Sequence, residues 1–331
     1  MVTIKAVAEQ AGVSIASVSR VINGAVTRGD TEKRVWAATK ALDYQPNSAA
    51  RALKVRQTEQ ICLSFDDLAN PAYVSMTRGV SQVLGSSKFR LVLSSAFSSV
   101  DEIVKHLESM GRGYVDGLII SPIYNDIRIA QLISKLQIPV VLVGTMPIGV
   151  DVDNVYVDSS AGVILAIKHL KSVGRKKIGF INGPTSTNPG RRRLAAFEKS
   201  MKEHELNFSN ASIVQANAFS IDAGYEAISK VKNLNKFDSF LCANDQIAAS
   251  VMKFCFEKGI DIPADIALVG IDNIDLASIL RPALTSIDLH AEKRGAMAAQ
   301  LMLERLSDPA RPVQKIQVIP ELVIRESTQK K

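Results

Sequence analysis

The run Ser14-Ile15-Ala16-Ser17-Val18-Ser19-Arg20 sets small polar and aliphatic residues ahead of an arginine. On the outer side of a helix, such a set does recognition chemistry rather than bond making. The Arg20 guanidinium can bridge the O6 and N7 acceptors of a guanine, and Ile15 and Ala16 can touch a thymine methyl. Ser17 and Ser19 face base edges near the helix start, while Ser14, Ser17 and Asn23 suit phosphate anchoring. A second set lies much further along the chain. Arg191-Arg192-Arg193, Asn244-Asp245 and Asp272-Asn273 all come after short apolar runs. Polar groups beyond the carboxyl ends of parallel strands are where open α/β sheets bind small ligands. Covalent chemistry finds no support in the sequence. There is no GxSxG elbow, P-loop, HExxH or GxGxxG, and no paired His/Cys set. Cys62, Cys242 and Cys255 are odd in number and far apart, and His106, His169, His204 and His290 are scattered. Neither a disulfide scaffold nor a zinc site is expected. The chain is expected to be no enzyme and to need no metal or cofactor.

The elements that must position the first set are three short helices. Ile4, Val7, Ala8 and Ala11 share one face of a helix capped by Thr3 and running to Gln10. Gly12 permits the left-handed backbone of a tight turn. Ser14 then caps a second helix from Ile15 to Ile22 or Asn23. Ala8, Gly12 and Val18 have the spacing of a helix-turn-helix: a small residue where helices touch, a turn glycine, an apolar lock. A third helix is predicted from about Asp30 to Leu42, with Val35, Trp36, Ala38 and Leu42 inward and a Thr27/Asp30 capping box. Charge agrees with a polyanion partner. Residues 1–56 hold nine Lys/Arg and four Asp/Glu, which is five of the net seven positive charges of the 331-residue chain.

Pro46 then breaks the helix, and Asn47 can cap a short one over Ser48–Lys54. So short a helix is unstable alone in water and needs a partner to form. From Gln60 on, apolar runs of four to seven residues alternate with amphipathic helices. The strands predicted are Ile61–Phe65, Arg90–Ser94, Val115–Ile120, Pro139–Val143, Lys177–Ile181, Ile213–Gln215, Ser239–Ala243, Ile266–Ile271 and Leu284–Leu289. The tail adds helix Glu292–Leu306 and strands Lys315–Ile319 and Leu322–Arg325. Between the strands lie helices such as Tyr73–Leu84, Ile127–Leu136, Ser160–Val173, Arg191–Glu203 and Gln246–Lys258. This pattern belongs to parallel sheets covered on both faces. Apolar residues make up 47% of the chain, enough for a large core. No run of about 18 apolar residues suggests a membrane span.

TIKAVAEQAGVSIASVSRVING, followed by YQPNSAARALK, resembles the N-terminal signature of the LacI/GalR family of bacterial repressors, and the likeness continues over essentially the whole chain. Two departures stand out. Ala6 sits where the family usually has an acid, and Ala25–Thr31 does not align with the usual loop. The resemblance implies that two Ser48–Lys54 helices pair in the minor groove, with Ala50 on bases, Leu53 wedged into the central step, and Arg51, Lys54 and Arg56 supplying charge. It also implies effector roles for Arg193 (in RRLAAF), Asn244 (in CANDQ) and Asp272 (in VGIDN), with Tyr73 and Phe219 as ring-stacking walls. Gly144 falls where some sugar-responsive members carry an acid.

The expected fold class is therefore α/β. An all-α helix-turn-helix head precedes a two-lobed, periplasmic-binding-protein-like core of two doubly wound parallel sheets. The expected boundaries are head 1–45, hinge and linker 46–58, and core 59–331. Within the core, the N-subdomain takes about 59–157 and 288–318, and the C-subdomain about 158–287 and 319–328. The expected DNA contacts are Thr3, Ser14, Ile15, Ala16, Ser17, Ser19, Arg20, Asn23, Ala50, Arg51, Leu53 and Lys54. The expected partners are double-stranded operator DNA, a small effector such as a sugar or related metabolite, and a second copy of the chain. Without an apolar leader at MVTIKAVAEQ, the protein is expected in the cytoplasm with the nucleoid. Without a heptad helix after Arg325, it is expected to stop at a dimer. The alternatives are a regulator answering to a protein co-regulator, and a ligand-binding protein without gene control.

Overall fold

The computed structural model describes residues 2–22, 29–45, 57–95, 99–145 and 149–329. The chain divides into two compact units, residues 1–58 and 59–331.

The first unit contains helices α1 (Ile4–Ala11), α2 (Ile15–Ile22) and α3 (Gly29–Ala41). Thr3 caps α1 by accepting from the Ala6 N–H at 3.4 Å. Gly12 ends the helix at φ +64°, in the left-handed region, and its N–H returns to the carbonyls of Ala8 and Glu9. Ser14 Oγ then accepts from the Ser17 N–H at 3.1 Å and starts α2. Val7, Ala8, Ala11, Val18, Val21, Val35 and Ala38 form the small core. Trp36 corrects the expected inner face of α3, because it is 48% exposed while its neighbour Val35 is fully buried. With only a one-turn spacing of apolar positions inside, the indole falls on the outer side. Thr27 and the helix expected over Ser48–Lys54 lie outside the described residues.

The second unit is built on two six-stranded sheets. The first runs β11-β5-β4-β3-β1-β2, parallel throughout: β1 (Gln60–Phe65), β2 (Arg90–Ser95), β3 (Gly117–Ser121), β4 (Val140–Val143), β5 (Asp153–Val157) and β11 (Lys315–Val318). The second runs β12-β10-β9-β8-β6-β7: β6 (Ile178–Asn182), β7 (Ile213–Gln215), β8 (Ser239–Cys242), β9 (Ala267–Ile271), β10 (Thr285–Asp288) and β12 (Glu321–Val323). Among the described residues, only the edge pair β10/β12 is antiparallel. The chain thus enters the second lobe after β5, returns to the first after β10, and leaves it again for β12.

Helices cover the sheets because their apolar stripes have nowhere else to go. In the first lobe α4 (Pro71–Leu84) packs on α12 (Ala291–Ser307). Glycine makes the approach possible. A Cβ on Gly79 would stand 2.0 Å from the Glu292 carbonyl oxygen, and one on Gly295 would stand 2.2 Å from that of Met76. α5 (Val100–Met110) and α6 (Ile127–Lys135) close the other face around Ile103, Leu107, Ile129 and Ile133. The second lobe is covered by α7 (Ser159–Ser172), α8 (Asn188–Glu203), α9 (Ile221–Ser229) and α10 (Asp245–Glu257), with the short α11 (Asp275–Ile279) after β9.

β5 and the short α11 had no counterpart in the sequence reading, and one helix starts earlier than expected. β5 begins with Asp153-Asn154, polar residues that hide an apolar-run signal. Both are buried, and Asp153 is satisfied by Arg305 at 3.0 Å and Arg311 at 2.9 Å from the far end of the chain. The helix expected from Arg191 starts three residues earlier, because Thr187 accepts from the Gly190 N–H at 3.2 Å and Pro189 fits the first turn. That shift brings Asn188 onto the helix start and into the cleft.

Candidate functional site

A cleft between the two lobes of the second unit collects all five of the expected effector residues: Tyr73, Arg193, Phe219, Asn244 and Asp272. They come from α4, α8, the loop before α9, the start of α10 and the end of β9. Every one sits at or just past the carboxyl end of a strand, or on the helix that follows. Sheet topology therefore gathers residues up to 199 positions apart by number, from Tyr73 to Asp272.

The wall from the second lobe is charged, with Arg193 and Asn244 buried. Arg193 is 6% exposed, and its Nη1 donates to the Ala243 carbonyl at 2.5 Å. Its Nε has no partner. The guanidinium lies 5.8 Å from the centre of the Phe219 ring. Burial pushes its pKa down from the ordinary arginine value, against the pull of the Asp272 carboxylate. Burial also raises Asp272, to about 6, although Arg193 and Arg294 oppose the shift. Behind it, Asp245 is driven to about 8 by burial and by the nearby Asp272 charge. Asp245 accepts from Ser286 Oγ at 2.6 Å and from the Ile274 N–H at 2.9 Å. It therefore fixes the turn that carries Asp272, whose φ is +107°.

Asn244 and Phe219 form one unit. Asn244 Oδ1 accepts from the Ile247 N–H at 2.9 Å as the cap of α10, and its Nδ2 donates to the Phe219 carbonyl at 3.1 Å. The Phe219 ring reaches its place only because residue 183 is glycine; a Cβ there would be 2.1 Å from the ring. Asn244 thus holds Phe219 in position as well as lining the cleft.

The first lobe supplies Tyr73, stacked on Phe65 with ring centres 4.7 Å apart. One ring face is therefore already covered by core. Its hydroxyl is hydrogen-bonded to Asp66 and Ser121, and burial and the Asp66 charge raise its pKa well above that of a free tyrosine. Burial raises Asp66 as well, and its Oδ1 has no partner. Arg294 reaches in from α12, with its Nε donating to the Leu289 carbonyl at 2.8 Å. The lobes touch through the Asn188 N–H to the Ile123 carbonyl at 2.7 Å, Gln246 to the Ala69 carbonyl at 3.2 Å, and Arg78 to Asp275 at 3.2 Å.

Sequence reasoning missed Asp66, Ser121, Asn188 and Arg294 in this wall. The first two carried a signal, since each ends or directly follows a buried strand. Arg294 carried none, for it sits mid-helix in the tail and arrives only when α12 folds back on the first lobe. Gly144 also lines the cleft, at φ +121°, a conformation that side chains rarely adopt.

In the head, Thr3, Ser14, Ile15, Ala16 and Arg20 are exposed, and Ser17 and Ser19 half-buried. Ser14 Oγ is also 3.0 Å from Ser17 Oγ. Asn23, Ala50, Arg51, Leu53 and Lys54 lie outside the described residues. Among the described residues, no His/Cys/Asp/Glu group has the arrangement of a metal site, and no helix is long and apolar enough to cross a membrane. The three cysteines are buried and unpaired.

Residues 3–47 match the model for bacterial regulatory proteins of the lacI family, and residues 167–328 that of a periplasmic binding protein-like domain. The HTH-type transcriptional repressor PurR of Haemophilus influenzae (strain PittEE) is 33% identical over 333 residues, covering 99% of this chain and 98% of that protein. The chain belongs to the LacI family. PurR of Proteus mirabilis (strain HI4320) is also 33% identical, over 99% of this chain and 97% of that protein. Among solved structures, the lac repressor dimer bound to operator and the anti-inducer ONPF shares 26% identity, with a TM-score of 0.86 over 99% of each chain. The transcriptional regulator CelR in complex with cellobiose shares 26% identity, with a TM-score of 0.73 over 99% of this chain and 100% of that one. Membership of the LacI family makes this chain a DNA-binding transcriptional regulator with an effector-binding core, not an enzyme.

Proposed function

We propose that the protein is a homodimeric repressor whose grip on a near-palindromic operator is set by a small polar metabolite in the interlobe cleft. The carrying observation is the cleft itself. Five residues read from sequence meet there, around buried polar atoms that no protein group satisfies. Buried polar groups without partners are rare in native folds, and a cavity lined by them calls for a ligand. CelR bound to cellobiose and the lac repressor bound to operator support the same reading by likeness.

In this reading residues 1–45 form the operator-reading head, 46–58 the hinge and linker, and 59–331 the sensing and dimerising core. Arg20, Ile15, Ala16, Ser17 and Ser19 read the major groove, with Thr3, Ser14 and Asn23 beside the backbone. Ala50, Arg51, Leu53 and Lys54 engage the minor groove from paired hinges, and Leu53 opens the central step. Val74, Leu93 and Ile279 are 47%, 42% and 66% exposed, apolar side chains on α4, β2 and the end of α11 of the kind that a second copy can cover. Effector binding changes how the two first lobes meet and so whether the hinges can pair. A tenfold change in operator affinity needs only about 1.4 kcal/mol of coupling. As a cytoplasmic protein it would sit on the nucleoid.

The test is operator binding by full-length protein on a duplex selected from a random pool. Leu53→Ala is expected to weaken the selected duplex more than a random one. Equal losses on both remove the wedge role. A salt-independent affinity would contradict phosphate neutralisation by the head.

A further inference from the structure

The chain crosses between its lobes after β5, after β10 and after β11. The last two crossings meet at a residue outside the cleft. His290 lies between β10 of the second lobe and α12 of the first. Its Nδ1 is 3.5 Å from Asp288 Oδ2, and its Nε2 is 3.7 Å from Glu321 Oε1. Asp288 ends β10, and Glu321 begins β12 directly after the return from β11. The imidazole therefore stands between carboxylates that belong to two separate crossings.

Those carboxylates oppose each other. Asp288 and Glu321 are register partners in the antiparallel pair β10/β12. Like charges directly opposite across a ladder destabilise it. The surrounding groups give little relief. Arg78 is taken by Asp275 at 3.2 Å and by Glu292 at 3.7 Å. Arg325 is turned to Asn273 Oδ1 at 2.7 Å and to the Leu284 carbonyl. Asn273 donates to Asp288 Oδ2 at 3.0 Å, but it carries no charge. Lys293 lines the same cavity of about 390 Å³ as Asp288 and His290, and there Asp272 and Asp275 set two more acids against it.

His290 faces both carboxylates, and it cancels their repulsion only when protonated. Histidine is the side chain whose charge ordinarily changes between about pH 5 and pH 8. The start of α12 opposes a charge on His290, because a helix N-terminus carries roughly half a positive charge. Two full negative charges within 3.7 Å outweigh it. Glu321 is 72% exposed, so water screens its share, and Asp288, at 24%, supplies more. The backbone is already set for the contact. His290 holds φ +52°, and its N–H donates to Asp288 Oδ1 at 2.6 Å.

We propose that His290, Asp288 and Glu321 form a proton-operated clasp on two of the crossings between the lobes. When charged, the imidazole ties β10 to β12 at the point where the lobes join. As pH rises through the histidine range, that charge is lost and the two carboxylates push the crossings apart. The lobes are joined more firmly in acid than in base, whatever fills the cleft.

The experiment is hydrogen exchange read by mass spectrometry on full-length protein at about pH 6 and about pH 8, with rates corrected for the intrinsic effect of pH. His290→Asn is the neutral control, since asparagine tolerates a positive φ. Asp272 and Asp245, raised to about 6 and about 8, also titrate in this range. The readout is therefore the difference between wild type and variant at each pH. At the lower pH, residues 288–291 and 321–323 are expected to be about threefold or more better protected in wild type. At the higher pH the two proteins are expected to agree. Helix α5, on another face of the first lobe, is expected to exchange alike in both throughout. Glu321→Gln is expected to remove about half or more of the wild-type pH response at residues 288–291. Equal protection of wild type and His290→Asn at both pH values overturns the clasp. So does an equal deficit of the variant at both, which marks a packing role alone. An unchanged pH response in Glu321→Gln overturns the tie between the two crossings.

Discussion

The head and the cleft recognise their partners by opposite physics. In the head, Thr3, Ser14, Ile15, Ala16 and Arg20, assigned to DNA, are exposed on a framework of seven buried residues, Val7 to Ala38. In the cleft, the assigned side chains are taken out of water and held by a framework far larger than the site. Arg193 rests on Ala243, Asn244 on Ile247 and Phe219, and Asp245 on Ser286 and Ile274. Exposed groups are screened, so each contributes little and their sum follows salt. Desolvated groups interact strongly, and each one lost leaves its partners unsatisfied. One region thus reads a polyanion by many weak contacts, and the other reads a small molecule by a few strong ones.

The contrast is sharpest at Arg193. Arg193→Ala is expected to weaken effector binding by about 100-fold or more, because it removes a desolvated charge-assisted donor and leaves Asp272 with less compensation. Operator affinity without effector should stay within about threefold. Calorimetry and gel shift on the same variant check both halves, and intact effector affinity would remove the cleft from the account. The frameworks can be separated by Val18→Ala. Deleting two methyls from so small a core should cost the head roughly 2 kcal/mol. In calorimetric melting, its transition should fall while that of residues 59–331 stays put. A shared shift of both would mean that the two units melt as one.

Arg20→Ala should weaken a selected operator by about tenfold and relax the base preference at one position. Equal loss on random duplex would demote it to a phosphate contact. The smallest effect concerns Asp245. Its pKa in the folded chain is raised to about 8, and that of Asp272 to about 6. For a carboxyl raised on folding, the native state holds the proton longer than the unfolded one. The stability is full below about pH 4 and is lost as pH rises through 6 and then 8. Asp245→Asn imitates the protonated acid, with its amide free to donate to Ser286. It should match wild-type melting below about pH 4 and remove the share of the loss that Asp245 causes between about pH 4 and pH 8. An unchanged profile up to pH 9 would mean that Asp245 is ionised already.

Much of this was legible along the chain. Thr3, Gly12 and Ser14 act within three or four residues of themselves, so the head's caps and turn followed from local chemistry alone. Trp36 did not, because which face of α3 turns inward depends on where α1 and α2 press against it. In the core, the strand-end rule found Arg193, Asn244 and Asp272. The same rule, applied one residue after β1 and at the end of β3, would have found Asp66 and Ser121. β5 stayed hidden because the polarity of Asp153 is cancelled by Arg305 and Arg311, some 150 residues away.

By itself, the sequence determined the alternation of strand and helix, the caps, the basic head and the polar groups at strand ends. These depend on residue type and near neighbours, whose geometry the backbone fixes. The tertiary structure alone decided that Arg294 joins the cleft, that Asn188 turns into it, and that Tyr73 spends one ring face on Phe65. Each of those outcomes depends on which distant segments meet when the sheets close, and on the water they exclude in doing so.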